Sequence, residues 1–326
     1  MSSNLLSIII PCYNVEGTIR RCLDSILQAQ NVDIISEIIC INDGSTDDTW
    51  GVLSAYSNEY DIIKLIDKKN EGVYIARNIG LELASGEYIW LIDSDDFITA
   101  NAFLVLEQQL DADIINFGYR QEDASGEYQF HSVNVKLNEK ESSGYQFLDR
   151  NDGRLYLWNN VYNRSFLQEH TIKFLAKSIS LEDSLFNTIA FAKAKRVKIL
   201  SNELYAYCFN QSSISRTKSL DHLLKQGKSS INVHTNILSF RNERVEGSYE
   251  YNIIQKRLMH TVLGFFYSLL VEKYPIYYVK EILITYGRLG LLPVKRENND
   301  FEIRVFQRLV NMKWPFLLLC RLNRIT

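Results

Sequence analysis

Asp93-Ser94-Asp95-Asp96 packs three carboxylates into four residues, directly after the apolar run Tyr88-Ile89-Trp90-Leu91-Ile92. Carboxylates held that close repel one another unless a proton or a cation separates them. The cluster therefore suits a hard, oxygen-preferring ion such as Mn²⁺ or Mg²⁺. Such ions take one or two protein carboxylates and leave their other positions to substrate phosphates, so a diphosphate would complete the shell. The same residues also read as a polar turn that ends a strand, and a lone D-x-D does not separate the two readings.

The elements that must position this cluster are legible in the first hundred residues, where short β-branched runs alternate with longer amphipathic ones. That alternation predicts an α/β fold, a parallel sheet wrapped by helices. Ile8 to Ile10 reads as a first strand ended by Pro11, followed by a helix from about Glu16 with Ile19, Cys22, Leu23, Ile26 and Leu27 at helical spacing. Glu37 to Ile41 reads as a second strand that breaks into Asn42-Asp43-Gly44-Ser45-Thr46-Asp47-Asp48, a turn able to cap the next helix. A third strand, Ile62 to Ile66, leads through Asn70-Glu71-Gly72 into a helix from Val73 to Ala84, closed by Ser85-Gly86. The fourth strand, Tyr88 to Ile92, delivers the acidic cluster. Ligands of open α/β sheets bind outside the carboxyl ends of the strands. Asp43, Asn70 and the helix bearing Arg77 and Asn78 are expected at that edge, with Arg77 placed to touch a phosphate or a neighbouring carboxylate.

From Asp113 to about Lys136 the pattern turns strand-like with a turn at Ser125-Gly126, so the sheet is expected to become mixed. Beyond Leu220 the chain reads as helical, with a domain boundary near Thr217. The composition of the 326 residues, 46% hydrophobic with a net charge of −3, is that of a globular protein and disfavours a nucleic-acid partner. The five cysteines are odd in number and scattered, which suits a reducing compartment. No signal-peptide pattern precedes the first strand, and a cytoplasmic enzyme is expected. The histidines show no zinc-ligand spacing, and no G-x-S-x-G elbow supports a serine nucleophile.

Four segments in order carry a resemblance: Ser7-Ile8-Ile9-Ile10-Pro11-Cys12-Tyr13-Asn14, Ile41 to Asp47, Asn70-Glu71-Gly72 with Ala76-Arg77-Asn78-Ile79-Gly80, and Ser85-Gly86-Glu87-Tyr88 leading into Asp93 to Asp96. Together they resemble the family 2 glycosyltransferases of bacterial surface-polysaccharide type. The resemblance is strong over roughly the first hundred residues and thins toward Thr217. It implies a GT-A fold, a Rossmann-like mixed sheet flanked by helices, across residues 1–217, with nucleotide and metal binding in 1–112 and the acceptor part in 113–217. Residues 218–326 form a helical C-terminal extension. By the same resemblance Pro11, Tyr13 and Asp43 hold the nucleotide base, Asp93 lies near the ribose, Asp95 binds the Mn²⁺ or Mg²⁺ bridging the donor diphosphate, and Asn70 and Arg77 support the site.

Ser180-Leu181-Glu182-Asp183-Ser184-Leu185-Phe186 matches the family's E-D motif, with Asp183 in the position of the base that deprotonates the acceptor hydroxyl and Glu182 beside it on the acceptor side. The same acids also suit the first turn of a helix running to Lys195. Leu157-Trp158-Asn159-Asn160-Val161-Tyr162 resembles the segment beneath the acceptor pocket, so Trp158 stacks on a sugar face or belongs to the core. Related enzymes often carry a basic residue a few positions after the segment Tyr205-Ala206-Tyr207. Cys208, Phe209 and Asn210 stand there instead, with Arg216 and Lys218 as substitutes.

The implied activity is inverting transfer of a sugar from a nucleotide-sugar, with UDP the first choice, to a saccharide or lipid-linked saccharide in capsule, O-antigen or exopolysaccharide synthesis. Two alternatives stay open at this point. A nucleotidyltransferase-like enzyme would need a glycine-rich basic loop that Pro11-Cys12-Tyr13-Asn14 lacks, and a non-catalytic sugar-binding module would not need Asp43, Asp95 and Asp183 together. The last segment sets Arg304, Arg308, Lys313, Arg321 and Arg324 against Glu302 around Trp314-Pro315-Phe316-Leu317-Leu318-Leu319. That composition fits either a packed terminal helix or peripheral docking on the inner face of the cell membrane.

Overall fold

The computed structural model describes residues 5–122, 128–131, 141–151, 155–175, 179–208, 219–295 and 301–323. The expected turn at Ser125-Gly126, the substitutes Arg216 and Lys218, and Arg324 lie outside these residues. The chain divides into two compact units, one of Met1–Lys177 with Ile189–Ser213 and one of Ser178–Thr188 with Ile214–Thr326. Residues 178–188, which the boundary near Thr217 assigns to the first part, thus group with the C-terminal helices.

The first unit is built on β1 (Leu6–Cys12), α1 (Ile19–Leu27), β2 (Ile35–Asp43), α2 (Thr49–Glu59), β3 (Ile63–Lys68), α3 (Val73–Leu83) and β4 (Tyr88–Leu91). β1 pairs in parallel with β2 on one side and β4 on the other, and β2 pairs in parallel with β3. Every residue of β1 and β4 is buried, as expected of strands covered on both faces. Because the four strands run the same way, the turns after Cys12, Asp43, Lys68 and Leu91 all open at one edge.

The chain continues through β5 (Phe97–Ile98), α4 (Ala102–Glu107), β6 (Ile114–Glu122), β7 (Tyr128–His131), β8 (Glu141–Ser142), α5 (Gly144–Arg150), β9 (Asn160–Asn163), α6 (Arg164–Glu169), α7 (Glu182–Lys193) and β10 (Val197–Cys208). Among the described residues the sheet runs β3-β2-β1-β4-β9-β6-β10-β5, with β7 beside β6 and β8 beside β10. It becomes mixed where β9 enters antiparallel to both β4 and β6. The fold is the expected mixed α/β sheet flanked by helices.

One boundary differs for a physical reason. Pro11 lies inside β1, opposite Ile41, although its type predicts a strand end. The carbonyl of Ile9 accepts from Ile92 N–H on the β4 side, and backbone groups two residues on point the same way. The N–H that Pro11 lacks would therefore face β4, whose ladder with β1 has already ended at Leu91. The proline thus coincides with the end of the β4 ladder, while pairing with β2 continues to Cys12.

In the second unit α8 (Leu220–Asn242), α9 (Tyr249–Val271), α10 (Ile276–Arg288), α11 (Phe301–Asn311) and α12 (Trp314–Leu322) follow. Ser219 and Ser248 cap α8 and α9 by accepting from His222 and Tyr251 N–H. Phe266, Tyr286 and Phe316 fill the core, with Phe266 edge-on to both partners. Among the described residues no helix is long and apolar enough to cross a membrane.

Candidate active site

Two loops at the carboxyl edge are laced together by side chains that cap backbone. Asn14, after β1, donates its backbone N–H to Ser45 Oγ, and its side-chain oxygen accepts from Thr46 N–H at 2.8 Å. Thr49 Oγ1 accepts from Val15 N–H at 2.8 Å, while Asp47 accepts from Glu16 N–H. Tyr13, part-exposed, sits on this loop beside the buried Pro11.

Asp43 does more than the motif suggested. Its Oδ1 accepts from Glu71 N–H at 2.9 Å and from Lys68 Nζ at 2.5 Å, and its Oδ2 accepts from Gly72 N–H at 2.8 Å. The carboxylate is 3% exposed. Asp43 thereby fixes the Asn70-Glu71-Gly72 loop, and Asn70 is left exposed at its tip. Gly44 completes the joint. Its φ is +69°, and a Cβ there would come within 2.6 Å of Asn70 N, so a side chain would force the two loops apart.

The three carboxylates after β4 have separate fates. Asp93, a third exposed, accepts at Oδ1 from Arg77 Nη2 at 2.8 Å. Of the two partners expected for Arg77, the structure shows the carboxylate; the arginine is buried and faces the Phe174 ring at 5.5 Å. Asp96 is 1% exposed and structural: Oδ2 accepts from the Tyr205 hydroxyl and Oδ1 from Cys208 N–H, both at 2.7 Å. Burial, and then the charges of Asp93 and Asp95, push its pKa well up. Asp95 is part-exposed, and burial followed by the Asp93 charge raises its pKa to about 6.

A carboxylate whose charge is penalised in this way fits a cation that would share it. Among the described residues no three His, Cys, Asp or Glu side chains converge as a metal cage. With Asp96 engaged by protein donors, one or two carboxylates remain, which is the donor set Mg²⁺ or Mn²⁺ takes when phosphates supply the rest.

Residues unmarked by the sequence support this turn. Arg21 on α1 donates to the Asp95 carbonyl at 2.8 Å and lies over the Phe97 ring. The Tyr205 hydroxyl also accepts from Asp93 N–H at 3.2 Å. Tyr205 belongs to the segment read as preceding a basic position, but a hydroxyl pairing across 109 residues leaves no local signal.

Of the two readings of Trp158, the ring packing favours the core. Trp158 is 3% exposed, stacked on Tyr205 and on Tyr156 with ring centroids 4.6 Å apart in each case, and Tyr119 meets it edge-on. No face is open to a sugar. The ring is core, and its backbone carbonyl accepts from Trp90 Nε1.

Glu182 and Asp183 open α7, whose first residues, to Thr188, belong to the second unit; Leu181 before them has φ 61°, a strained conformation for a branched side chain. Ser229 on α8 holds the approach, its Oγ accepting from Ile179 and Ser180 N–H at 2.9 and 3.2 Å.

The model of the family described as "Glycosyl transferase family 2" matches residues 7–171. The chain belongs to glycosyl transferase family 2. This glycosyltransferase is 32% identical over 238 residues to the uncharacterized glycosyltransferase EpsJ of Bacillus subtilis, covering 70% of this chain and 69% of that one. It is 29% identical over 209 residues to a poly(ribitol-phosphate) beta-glucosyltransferase of Bacillus spizizenii, covering 62% of this chain and 32% of the relative. In fold, the glycosyltransferase is similar to S. aureus TarS 1-349 in complex with UDP-GlcNAc, with a TM-score of 0.69 at 20% identity over 98% of this chain and 91% of that one. The fold is therefore that of a GT-A enzyme. The nucleotidyltransferase alternative falls with the family assignment.

Proposed function

We propose that this glycosyltransferase moves a sugar from a UDP-sugar to a hydroxyl of a saccharide or lipid-linked saccharide acceptor, with inversion, in bacterial surface-polysaccharide assembly. The observation that carries the reading is the acidic turn after β4, in which Asp96 is locked by Tyr205, Asp93 is held by Arg77, and Asp95 is left part-exposed with a raised pKa. The TarS neighbour bound to UDP-GlcNAc supports UDP as the nucleotide, and the poly(ribitol-phosphate) relative supports a polymeric acceptor.

In this reading Pro11, Tyr13 and Asp43 frame the base. Asp43 Oδ1 already accepts from Glu71 and Lys68, but Oδ2 accepts from Gly72 alone, so its second lone pair is the one that meets the base. Asp93 meets the ribose, with Arg77 fixing its direction. Asp95 would hold Mn²⁺ or Mg²⁺, which when bound would supply charge neutralisation for the departing diphosphate. Asp183 takes the acceptor hydroxyl proton as that oxygen bonds to the anomeric carbon. The bond to the diphosphate oxygen breaks with its electron pair, and no protein acid need protonate the leaving group. Glu182 belongs to the acceptor side. A lipid-linked acceptor would bring the enzyme to a membrane surface, and the C-terminal region is the part we expect to meet it.

Calorimetric titration with UDP, GDP and CDP, each with Mn²⁺ and again with EDTA, tests the donor side. Metal-dependent binding of UDP supports the proposal. Binding of none of them points instead to a non-catalytic module on this scaffold.

A further inference from the structure

α12 is apolar on both faces, and only one face has a partner in the fold. Phe316 and Cys320, four apart, are buried in the helical unit, and Phe316 meets Phe266 and Phe306 edge-on. On the opposite side Trp314, Leu318 and Leu322 repeat at the same spacing and are 78%, 58% and 53% exposed. A helix that only had to pack would carry polar residues there.

The flanking charges give the uncovered face a sign. Arg304 and Arg308 stand exposed on α11 in register with Met312, itself 55% exposed, at steps of four. Lys313 and Arg321 are exposed beside Trp314 and Leu322. Among the described residues none of these four cations joins an ion pair, and Glu302 is the acid on the two helices. An apolar stripe headed by a tryptophan and bordered by unpaired cations matches the interface of an anionic bilayer. There the rings and leucines enter the acyl boundary while arginine and lysine reach the headgroups. A protein partner of matching shape would be served by the apolar stripe alone; the row of free cations favours lipid.

We propose that the outer face of α11 and α12, with Trp314, Leu318 and Leu322 as the inserted residues and Arg304, Arg308 and Arg321 as the headgroup contacts, docks this enzyme on an anionic lipid bilayer. Docking would serve the lipid-linked acceptor proposed above. Vesicle binding is measured without donor or acceptor, so failure of one reading leaves the other standing.

The test is co-sedimentation of the full chain with phosphatidylcholine vesicles, with and without phosphatidylglycerol, at low and high salt. Binding to the phosphatidylglycerol vesicles, weakened by salt, is expected. Arg304→Gln with Arg308→Gln and Arg321→Gln should together weaken it on the order of a hundredfold, since each surface cation is worth roughly a fivefold change. Trp314→Ala with Leu318→Ser should weaken binding and abolish the blue shift of tryptophan emission that vesicles produce. All five positions are exposed, so unchanged circular dichroism should accompany both losses. Failure to bind phosphatidylglycerol vesicles, or binding that either set of substitutions leaves unchanged, overturns the proposal. So does a dimer in light scattering that Trp314→Ala dissolves, because a second copy would then cover the face.

Discussion

The Tyr205 hydroxyl donates to Asp96 Oδ2 at 2.7 Å and accepts from Asp93 N–H at 3.2 Å, so a strand from late in the sheet unit grips both ends of the acidic turn. The phenol is fully buried. Tyr205→Phe keeps the ring stack on Trp158 but leaves the buried Asp96 carboxylate and the Asp93 N–H each short of a partner, at a cost of about 1–3 kcal/mol. A melting temperature lower by several degrees, with weaker UDP binding in calorimetry, is the expected outcome. Unchanged UDP affinity would mean that the turn does not need this clamp.

Asp95 carries a sign that pH can test. Its folded pKa is raised to about 6 by burial and by Asp93, above the ordinary carboxylate value. Without metal the native state holds this proton more tightly than the unfolded chain. Its contribution to stability therefore falls as pH rises from about 4 to about 6 and stays low above that. Asp95→Asn should accordingly stabilise the protein in EDTA at pH 7.5 by on the order of 1 kcal/mol, seen as a higher melting temperature, and remove the dependence of UDP binding on Mn²⁺. In the unsubstituted protein, Mn²⁺-dependent UDP affinity should decline as pH drops below 6, where protons compete for the carboxylate. Calorimetry across pH reads both effects.

Asp183 acts on the acceptor in the proposed mechanism, so Asp183→Asn should cut kcat by roughly 10²–10⁴ while UDP affinity holds. Normal turnover of that variant would remove it from the role of base. Ser229→Ala gives a subtler readout. It deletes the acceptor of Ile179 and Ser180 N–H ahead of the strained Leu181, and a lower kcat with little change in donor KM is expected.

Glu37 belongs to the scaffold. It is buried, accepts from Ser7 Oγ, from Ser85 N–H at 2.8 Å and from Lys64 Nζ at 2.6 Å, and so ties the Ser85-Gly86 turn to β1 and β2. Burial alone would raise its pKa, but these donors hold it down at about 2. The stability it contributes is complete above pH 4.5 and is lost as pH falls through about 2. Glu37→Gln should destabilise the protein by about 2 kcal/mol near neutrality, and the difference should shrink in acid. Thermal melts over that range provide the check.

Among all these residues, those whose signal is local were legible in the chain itself. The isoleucine runs, the glycines at forced turns and the acids directly after an apolar strand placed Asp43, Arg77, Asp93 and Asp95 at one edge, because a parallel sheet sends all its carboxyl ends the same way. What the chain could not disclose is which carboxylate is occupied by the protein. Asp93, Asp95 and Asp96 are alike in sequence, yet Arg77, Tyr205 and Cys208 N–H, brought in by helix packing and by a strand 109 residues on, commit two of them and leave Asp95 with a raised pKa. Trp158 was undecidable for the same reason: a tryptophan in a strand-like run is core or platform according to whether Tyr156 and Tyr205 cover its faces. Family and edge came from sequence because motif and period are properties of neighbours in the chain. The division of labour among the acids came from tertiary structure because burial and hydrogen-bond partners are properties of neighbours in space.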